Sequence, residues 1–258
     1  MSETPSATVA GLYRYPVKGL TPEPMVEAHL VEGGYFPGDR VLAIENGPSG
    51  SEPSAPTFLP KQKFLMLMRN ARLARLTTEF DSATRWLTIR QGGLAAAAGS
   101  IDTVEGRLAI AGFLKTYLGD ECREPLQVLD APDGFRFVDS QSGFVSLINL
   151  ASVRAIAGLV KRDGLDPLRF RGNILLDGLR AWGEFEHLGA RLAIGTAELE
   201  ITKRIDRCAA VDVDPKAGLR DLNIVSVLEQ AFQHHDCGVY ARITRSGVIR
   251  TGDAMQIR

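Results

Sequence analysis

Short apolar runs that stop at glycine, proline or aspartate recur along the whole 258-residue chain, which contains 26 Gly and 13 Pro. The first run extends from Val9 to Tyr15 and stops at Pro16, and two later pairs of runs turn at Asp81-Ser82 and at Gly195-Thr196. Runs of this length between turn residues favour short antiparallel strands. The sequence therefore predicts a mainly β (α+β) fold built from β-barrels with a few short helices, rather than a parallel sheet.

Three segments have helical spacing. The clearest begins at Asp102, a predicted N-cap, and ends at Gly119, with Val104, Leu108, Ala111 and Leu114 on one face. A second segment, within residues 144–164, reads as the end of a strand that runs into a helix, and a third covers residues 222–232. These helices are too few and too short to cover a parallel sheet on both faces.

The length of the chain indicates two domains. A chain of 258 residues is long for one compact domain and sufficient for two small ones. The sequence pattern changes near Glu124-Pro125. We therefore expect an N-terminal β-barrel-like domain over residues 1–125 and a second β-barrel domain over residues 126–258.

Composition excludes several classes of protein. The chain is 45% hydrophobic and 24% charged with a formal net charge of -1, which is ordinary for a globular protein and gives no footprint for nucleic acid or membrane partners. Three cysteines, Cys122, Cys208 and Cys237, are too few for a disulfide framework and fit a reducing compartment. No signal peptide or membrane-spanning run is recognisable, so we expect a cytoplasmic location.

Cys208 lies in an unusual context, in the stretch TKRIDRCAAVDVDPKAG just after a predicted strand. The simplest interpretation is a small buried hydrophobic residue. The alternative is a functional thiolate, a nucleophile or soft metal ligand favoured by Arg207 and Arg204. Asp206 opposes that shift, so the neighbouring residues alone leave both interpretations open.

Basic residues at the ends of predicted strands suit an anion-binding site. Arg171 and Asn173 of FRGN are predicted to share one face of a strand, and Lys18 of YPVKG and Arg40 of GDR lie beside tight turns. When each of these residues is considered alone, the simplest interpretation is an ordinary surface residue. The HHDC stretch at residues 234–237 matches no zinc-binding spacing.

Together, these motifs occur in a recognisable order: YPVKG, GDR, LINLAS, FRGNI, DRCAAVDVDPKAG and GVYARITRSGVIRTGD. In that order the chain resembles the MOSC-domain proteins that carry an N-terminal MOSC β-barrel domain. It is most similar to the mitochondrial amidoxime-reducing components and their bacterial relatives. Residues 45 to 140 contribute little to this resemblance.

The resemblance implies a molybdenum cofactor (Mo-molybdopterin), with Cys208 as the metal ligand and catalytic residue. It assigns cofactor binding to Lys18, Arg40, Asn149, Ser152, Arg171, Asn173 and Arg207. The implied activity is reduction of small-molecule N-hydroxylated substrates, namely amidoximes, hydroxylamines and N-hydroxylated bases. Electrons are expected from a separate ferredoxin, flavoprotein or haem protein. Two alternatives stay open: a carrier of the cofactor or of sulfur, and a binding module in which Cys208 is structural.

Overall fold

A computed structural model of the protein describes residues 6–50, 57–141 and 144–258. Most of its regular structure is strand, and its α-helices are short, which confirms the predicted mainly β fold. The strands are β1 (Ser6–Arg14), β2 (Glu23–Met25), β3 (Glu27–Leu30), β4 (Leu42–Asn46), β5 (Leu76–Asp81), β6 (Trp86–Gln91), β7 (Leu94–Ser100), β8 (Leu126–Asp130), β9 (Val145–Asn149), β10 (Ile174–Asp177), β11 (Arg191–Ile194), β12 (Ala197–Asp206), β13 (Asp236–Arg245), β14 (Gly247–Arg250) and β15 (Ala254–Ile257). The helices are α1 (Val104–Leu118), α2 (Leu150–Leu159) and α3 (Ile224–Phe232). No helix of the described residues is long and apolar enough to cross a membrane.

Seven strands form a closed barrel in the order β10-β9-β13-β12-β11-β15-β1, and β1 pairs with β10 to complete it. All pairings in the barrel are antiparallel except that of β9 with β10. Alternate side chains point inward, as in the first half of β12, because successive residues of a strand face opposite sides. The interior is filled by branched apolar residues, including Val9, Leu12, Leu147, Ile174, Leu199 and Ile243.

The first strand belongs to this barrel although most barrel strands follow residue 144. Ala7 of β1 lies opposite Met255 of β15, and Leu12 lies opposite Ile174 of β10. The boundary near residue 125 stays a prediction. The barrel itself draws on both ends of the chain.

The remaining part of the N-terminal half packs around a second apolar core. It contains a three-stranded sheet, β5-β6-β7, and the pair β4-β8, with α1 packed against β7 and β8. The predicted turn at Asp81-Ser82 connects β5 and β6, and the predicted turn at Gly195-Thr196 connects β11 and β12. Both hairpins are therefore confirmed.

One local prediction is wrong and another holds in part. Thr103, not Asp102, caps α1, since the Thr103 side chain accepts a hydrogen bond from the backbone N–H of Gly106. Of the residues predicted to share one face of α1, Ala111 and Leu114 are buried, whereas Leu108 is 65% exposed. Helical spacing therefore identified only part of the buried face of α1.

Candidate functional site

A cavity of about 370 Å³ lies where the barrel meets the N-terminal half of the chain. Among its described lining residues, eight are basic and three are acidic: Lys18, Arg40, Lys61, Arg169, Arg171, Lys203, Arg204 and Arg207 against Asp39, Asp139 and Asp206. The cavity therefore has an excess of positive charge although the whole chain is nearly neutral. Such a site suits an anionic ligand.

Cys208 lines this cavity immediately after the end of β12. Its carbonyl accepts the backbone N–H of Val211 at 3.1 Å, which closes a tight turn, and its thiol is free and partly exposed. Lys61 also lines the cavity and lies near enough to Cys208 to interact with it electrostatically. Burial opposes the charge of Lys61, but the neighbouring Cys208 outweighs it and raises the pKa of Lys61 above its ordinary value.

The loop that follows Cys208 is held by its own hydrogen bonds. The Asp214 carboxylate accepts the backbone N–H groups of Lys216 and Ala217 at 2.9 and 2.6 Å. Buried Arg169 then donates to Asp214 at 3.1 Å and to Asp221 at 2.9 Å. These contacts explain the acidic, proline-containing turn of the sequence motif as a rigid support for the cysteine.

Arg207 is fixed by backbone carbonyls. Its Nε donates to the Cys237 carbonyl and its Nη1 donates to the Phe170 carbonyl, each at 2.7 Å. Because these acceptors are neutral, they do not cancel the positive charge of the guanidinium. Arg207 and Cys208 both line the cavity, and a role for Arg207 in cofactor binding stays a prediction.

Lys18 belongs to the N-terminal half of the sequence, far from Cys208, but it lines the same cavity. Its Nζ donates to the Phe137 carbonyl at 2.9 Å and also to the Asp139 carboxylate. Burial lowers the pKa of Lys18 below its ordinary value, although Asp139 opposes this shift. Burial raises the pKa of Asp139, but Lys18 outweighs it and the pKa lies below its ordinary value. The Asp139 side chain is 53% accessible because it faces the cavity.

Arg40 and Arg171 meet over the ring of Tyr15, at 4.5 and 4.3 Å from its centroid. Both arginines have left-handed backbone conformations, with φ of 48° and 51°. Arg40 donates to the Arg171 carbonyl at 3.2 Å and Arg171 donates to the Leu20 carbonyl at 2.8 Å. Among the described residues, the buried Nη2 of Arg171 has no hydrogen-bond partner.

The charge of Arg171 is consequently uncompensated. Burial, reinforced by the neighbouring Arg40, lowers the pKa of Arg171 to about 10. An anionic group in the cavity would satisfy the free Nη2 and relieve the repulsion between the two guanidinium groups. This is the clearest sign in the cavity of what it is built to hold.

The FRGN motif precedes a strand instead of forming one, which corrects our prediction of a shared strand face. Arg171 ends a short 3₁₀ helix and β10 begins only at Ile174. Asn173 lines the cavity, but its Oδ1 accepts from Ser146 Oγ at 2.8 Å and its Nδ2 donates to the Tyr13 carbonyl at 3.1 Å. Asn173 therefore ties barrel strands β1 and β9 together behind the arginines.

Asn149 and Ser152 lie elsewhere: among the described residues, neither lines the cavity. Both are buried and donate to the carboxylate of Glu184, Asn149 Nδ2 at 2.7 Å and Ser152 Oγ at 2.9 Å. Ser152 Oγ also accepts the backbone N–H of Trp182 at 2.9 Å. Burial raises the pKa of Glu184. A role for Asn149 and Ser152 in cofactor binding stays a prediction.

Sequence reasoning missed several residues of the cavity, above all Lys61 and Asp139. Both lie in loop-like segments rich in glycine, proline or serine, where spacing gives no signal. Their only sequence signature is an isolated charge, which is typical of any exposed loop. Tyr15 was visible in YPVKG, but nothing in the sequence indicated that two arginines pack on its ring.

The HHDC stretch forms no metal site. In the part of the chain that the structure describes, no group of three or more His, Cys, Asp or Glu residues could hold a metal ion. His234 stacks on Phe232 with ring centroids 5.7 Å apart, and His235 lies 2.9 Å from Glu229. Cys237 is fully buried, and burial raises its pKa to about 12.

The fold and the site define a closed β-barrel protein with a free thiol in a cavity that has an excess of positive charge. The sequence model of the MOSC domain matches residues 136–256, and that of the MOSC N-terminal beta barrel domain matches residues 6–119. The chain belongs to the MOSC-domain family, which is associated with the molybdenum cofactor.

Two curated relatives share part of the chain. A protein named molybdenum cofactor sulfurase from Caenorhabditis briggsae is 34% identical over 112 residues, which is 40% of this chain and 16% of the relative. A protein of the same name from Caenorhabditis elegans is 32% identical over 114 residues, with 41% and 16% covered. The chain thus matches about a sixth of the length of these relatives.

Among solved structures, the YUAD protein from Bacillus subtilis is similar over 98% of this chain and 95% of its own, with 13% identity and a TM-score of 0.49. YiiM from Geobacillus stearothermophilus is similar over 46% of this chain and 56% of its own, with 20% identity and a TM-score of 0.36.

The residues of the cavity fit the group that the family implies. A cysteine sulfur is a soft ligand for a metal such as molybdenum, and Cys208 provides one in the cavity. The unpartnered guanidinium nitrogen of Arg171 and the excess of basic residues suit the anionic tail of a pterin. No other described residue of the cavity carries a thiol.

Proposed function

We propose that the protein is a molybdenum-cofactor-dependent reductase of N-hydroxylated compounds, namely amidoximes, hydroxylamines and N-hydroxylated bases. The observation that carries this proposal is the position of Cys208, a free thiol that lines a cavity with excess positive charge. The motif order of the sequence supports the same activity, since it resembles the amidoxime-reducing components.

Each group of cavity residues has a distinct part in this proposal. Cys208 would hold the metal, and Arg207 would favour its thiolate form. Lys18, Arg40 and Arg171 would bind the anionic end of the pterin. When bound, the cofactor would supply the two-electron chemistry, as is general for cofactor enzymes.

The overall reaction consumes two electrons and two protons. It breaks the N–O bond of the substrate, leaves an N–H group and releases water. Lys61, whose pKa lies above its ordinary value, would keep a positive charge near Cys208 in the cavity. We propose that the electrons come from a separate ferredoxin, flavoprotein or haem protein.

A second candidate is a carrier of the molybdenum cofactor or of sulfur. The observation that favours it is the name shared by the two nematode relatives, molybdenum cofactor sulfurase, whose similarity covers about 40% of this chain. In a carrier, Cys208 would hold the cofactor or a persulfide in transit. Such a protein binds the cofactor but does not turn over.

The first test is the molybdenum content of protein purified from a host that makes the cofactor and is supplied with molybdate. We expect near-stoichiometric molybdenum in the wild type and little in Cys208→Ala. Cys122→Ala is the matched control, because Cys122 is also a partly exposed free thiol but lies outside the cavity. Absence of molybdenum from the wild type would contradict the reductase and would leave a carrier of sulfur or a binding module in which Cys208 is structural.

The second test separates the two candidates by turnover. Loaded protein is given benzamidoxime, an amidoxime, with a chemical reductant or a ferredoxin system. A reductase forms benzamidine, and Cys208→Ala does not. A protein that is fully loaded with molybdenum but forms no product with any of these donors would support the carrier.

A further inference from the structure

Tyr15 does not line the cavity, but its ring packs against two cationic residues that do, Arg40 and Arg171. Its ring is completely buried. Its backbone N–H donates to the Asp39 carboxylate at 2.7 Å and its carbonyl accepts the backbone N–H of Arg40 at 2.8 Å. The YPVKG and GDR motifs, well separated in the sequence, therefore meet at this residue.

The Tyr15 hydroxyl does not explain why the residue is there. Within the described part of the chain, this buried hydroxyl has no hydrogen-bond partner, and burial raises its pKa to about 12. A buried hydroxyl without a partner is unfavourable. The contacts that the Tyr15 side chain makes in the structure are therefore those of its ring.

The ring contacts two like charges. Arg40 and Arg171 both lie over it within 4.5 Å of its centroid, and each repels the other. An aromatic face attracts a guanidinium through its quadrupole, and this attraction is stronger when water is excluded. Arg40 is also paired with Asp39, whereas Arg171 has only the Leu20 carbonyl as an acceptor.

We propose that Tyr15 is a positioning residue whose ring holds Arg40 and Arg171 together as a preformed clamp for a phosphate-like anion, independently of its hydroxyl. The inference rests on the proposed function, because the anion would be the phosphate-bearing end of the pterin. The inference adds that one aromatic ring holds the two arginines in place and that the clamp is formed before any ligand binds.

The experiment measures the binding of inorganic phosphate to cofactor-free protein by isothermal titration calorimetry at low ionic strength. Tyr15→Phe, the conservative variant, should bind within about twofold of the wild type. Tyr15→Leu should bind about tenfold more weakly, because an aliphatic side chain cannot attract the guanidinium groups. Arg171→Gln should remove the binding and so locate it at this clamp.

Pentafluorophenylalanine at position 15 keeps the proposal testable if Tyr15→Leu fails to fold. It preserves the shape of phenylalanine but reverses the charge of the ring face. We expect at least fivefold weaker phosphate binding than in Tyr15→Phe. Equal affinity in these two proteins would overturn the proposal, as would wild-type protein that does not bind phosphate or binds it without Arg171.

This result is independent of the proposed reductase activity, since no molybdenum is needed. If the variants show the expected order of phosphate affinities but the protein acquires no molybdenum, the clamp is supported and the proposed function is contradicted. If the protein binds molybdenum but all Tyr15 variants bind phosphate with equal affinity, the proposed function is supported and the role of the ring is contradicted.

Discussion

Replacement of Ser152 by alanine tests whether this residue supports the fold or binds the cofactor. Ser152 is completely buried, donates to the Glu184 carboxylate at 2.9 Å and accepts the backbone N–H of Trp182 at 2.9 Å. Ser152→Ala removes both contacts and leaves a buried carboxylate and a buried N–H with one partner fewer. The sequence resemblance assigned Ser152 to cofactor binding, so the two interpretations make different predictions.

The expected loss of stability is about 3 kcal/mol. A hydrogen bond to a charged group contributes about 1.5–3 kcal/mol, and an unsatisfied buried N–H costs about 1–3 kcal/mol. Some relaxation around the small cavity left by the hydroxyl should keep the total below the sum of the two upper values. The loss is large compared with the typical stability of a domain, about 5–15 kcal/mol.

Urea unfolding of the cofactor-free protein measures this loss. Ser226→Ala is the matched control, because Ser226 is exposed on α3, and its effect should stay within about 0.5 kcal/mol. The molybdenum content of folded Ser152→Ala should equal that of the wild type. A stable variant that fails to load molybdenum would refute this reasoning and restore Ser152 to the cofactor site.

Three further predictions concern other parts of the molecule. Arg169→Met should destabilise the protein by about 2–3 kcal/mol in urea unfolding. This is less than the loss expected on breaking a fully buried ion pair, because the carboxylate partners of Arg169 are about 30% exposed. An unchanged stability would contradict the role of Arg169 in supporting the loop after Cys208. Gly172→Ala should cost about 2 kcal/mol, because its Cβ would lie 2.3 Å from Ile148 Cγ1, whereas Gly112→Ala in open space should stabilise α1 slightly. The free energy of unfolding should fall as pH rises from 9.0 towards about 12, because the Cys237 thiol ionises more readily in the unfolded chain. In Cys237→Ala this free energy should fall less steeply, by a difference of about 2 kcal/mol at about pH 11. Equal slopes in the two proteins would refute the assignment of Cys237 as a buried thiol.

The parts of the fold that the sequence predicted are those decided by neighbouring residues. The turns at Asp81-Ser82 and Gly195-Thr196 and the helix within residues 222–232 follow from local turn chemistry and apolar spacing. Closure of the barrel by β1 could not be predicted in this way. The partners that close the barrel with β1, namely β10 and β15, are more than 160 residues away in sequence, and no local pattern specifies such a pairing.

The residues of the candidate site also differ in whether a sequence motif could identify them. Cys208, Lys18, Arg40, Arg171 and Arg207 could be identified because motif order placed them in a family, and the structure brings all five to one cavity. Lys61 has no motif, and the buried contacts of Ser152 depend on Glu184, which is far along the chain. Side chains that act through distant partners need the three-dimensional fold before their role can be seen.

The place of β1 in the barrel also sets an order of events during synthesis. The strand that pairs with residues 6–8 is residues 254–256, so β1 must wait for nearly all of the chain before its last partner exists. Until then, the edges of β1 and β11 that β15 covers lack their hydrogen-bond partners. The described lining of the cavity itself extends along the chain only to Tyr240, so a nascent chain has made every residue of that lining once β13 is synthesised, before the barrel can close.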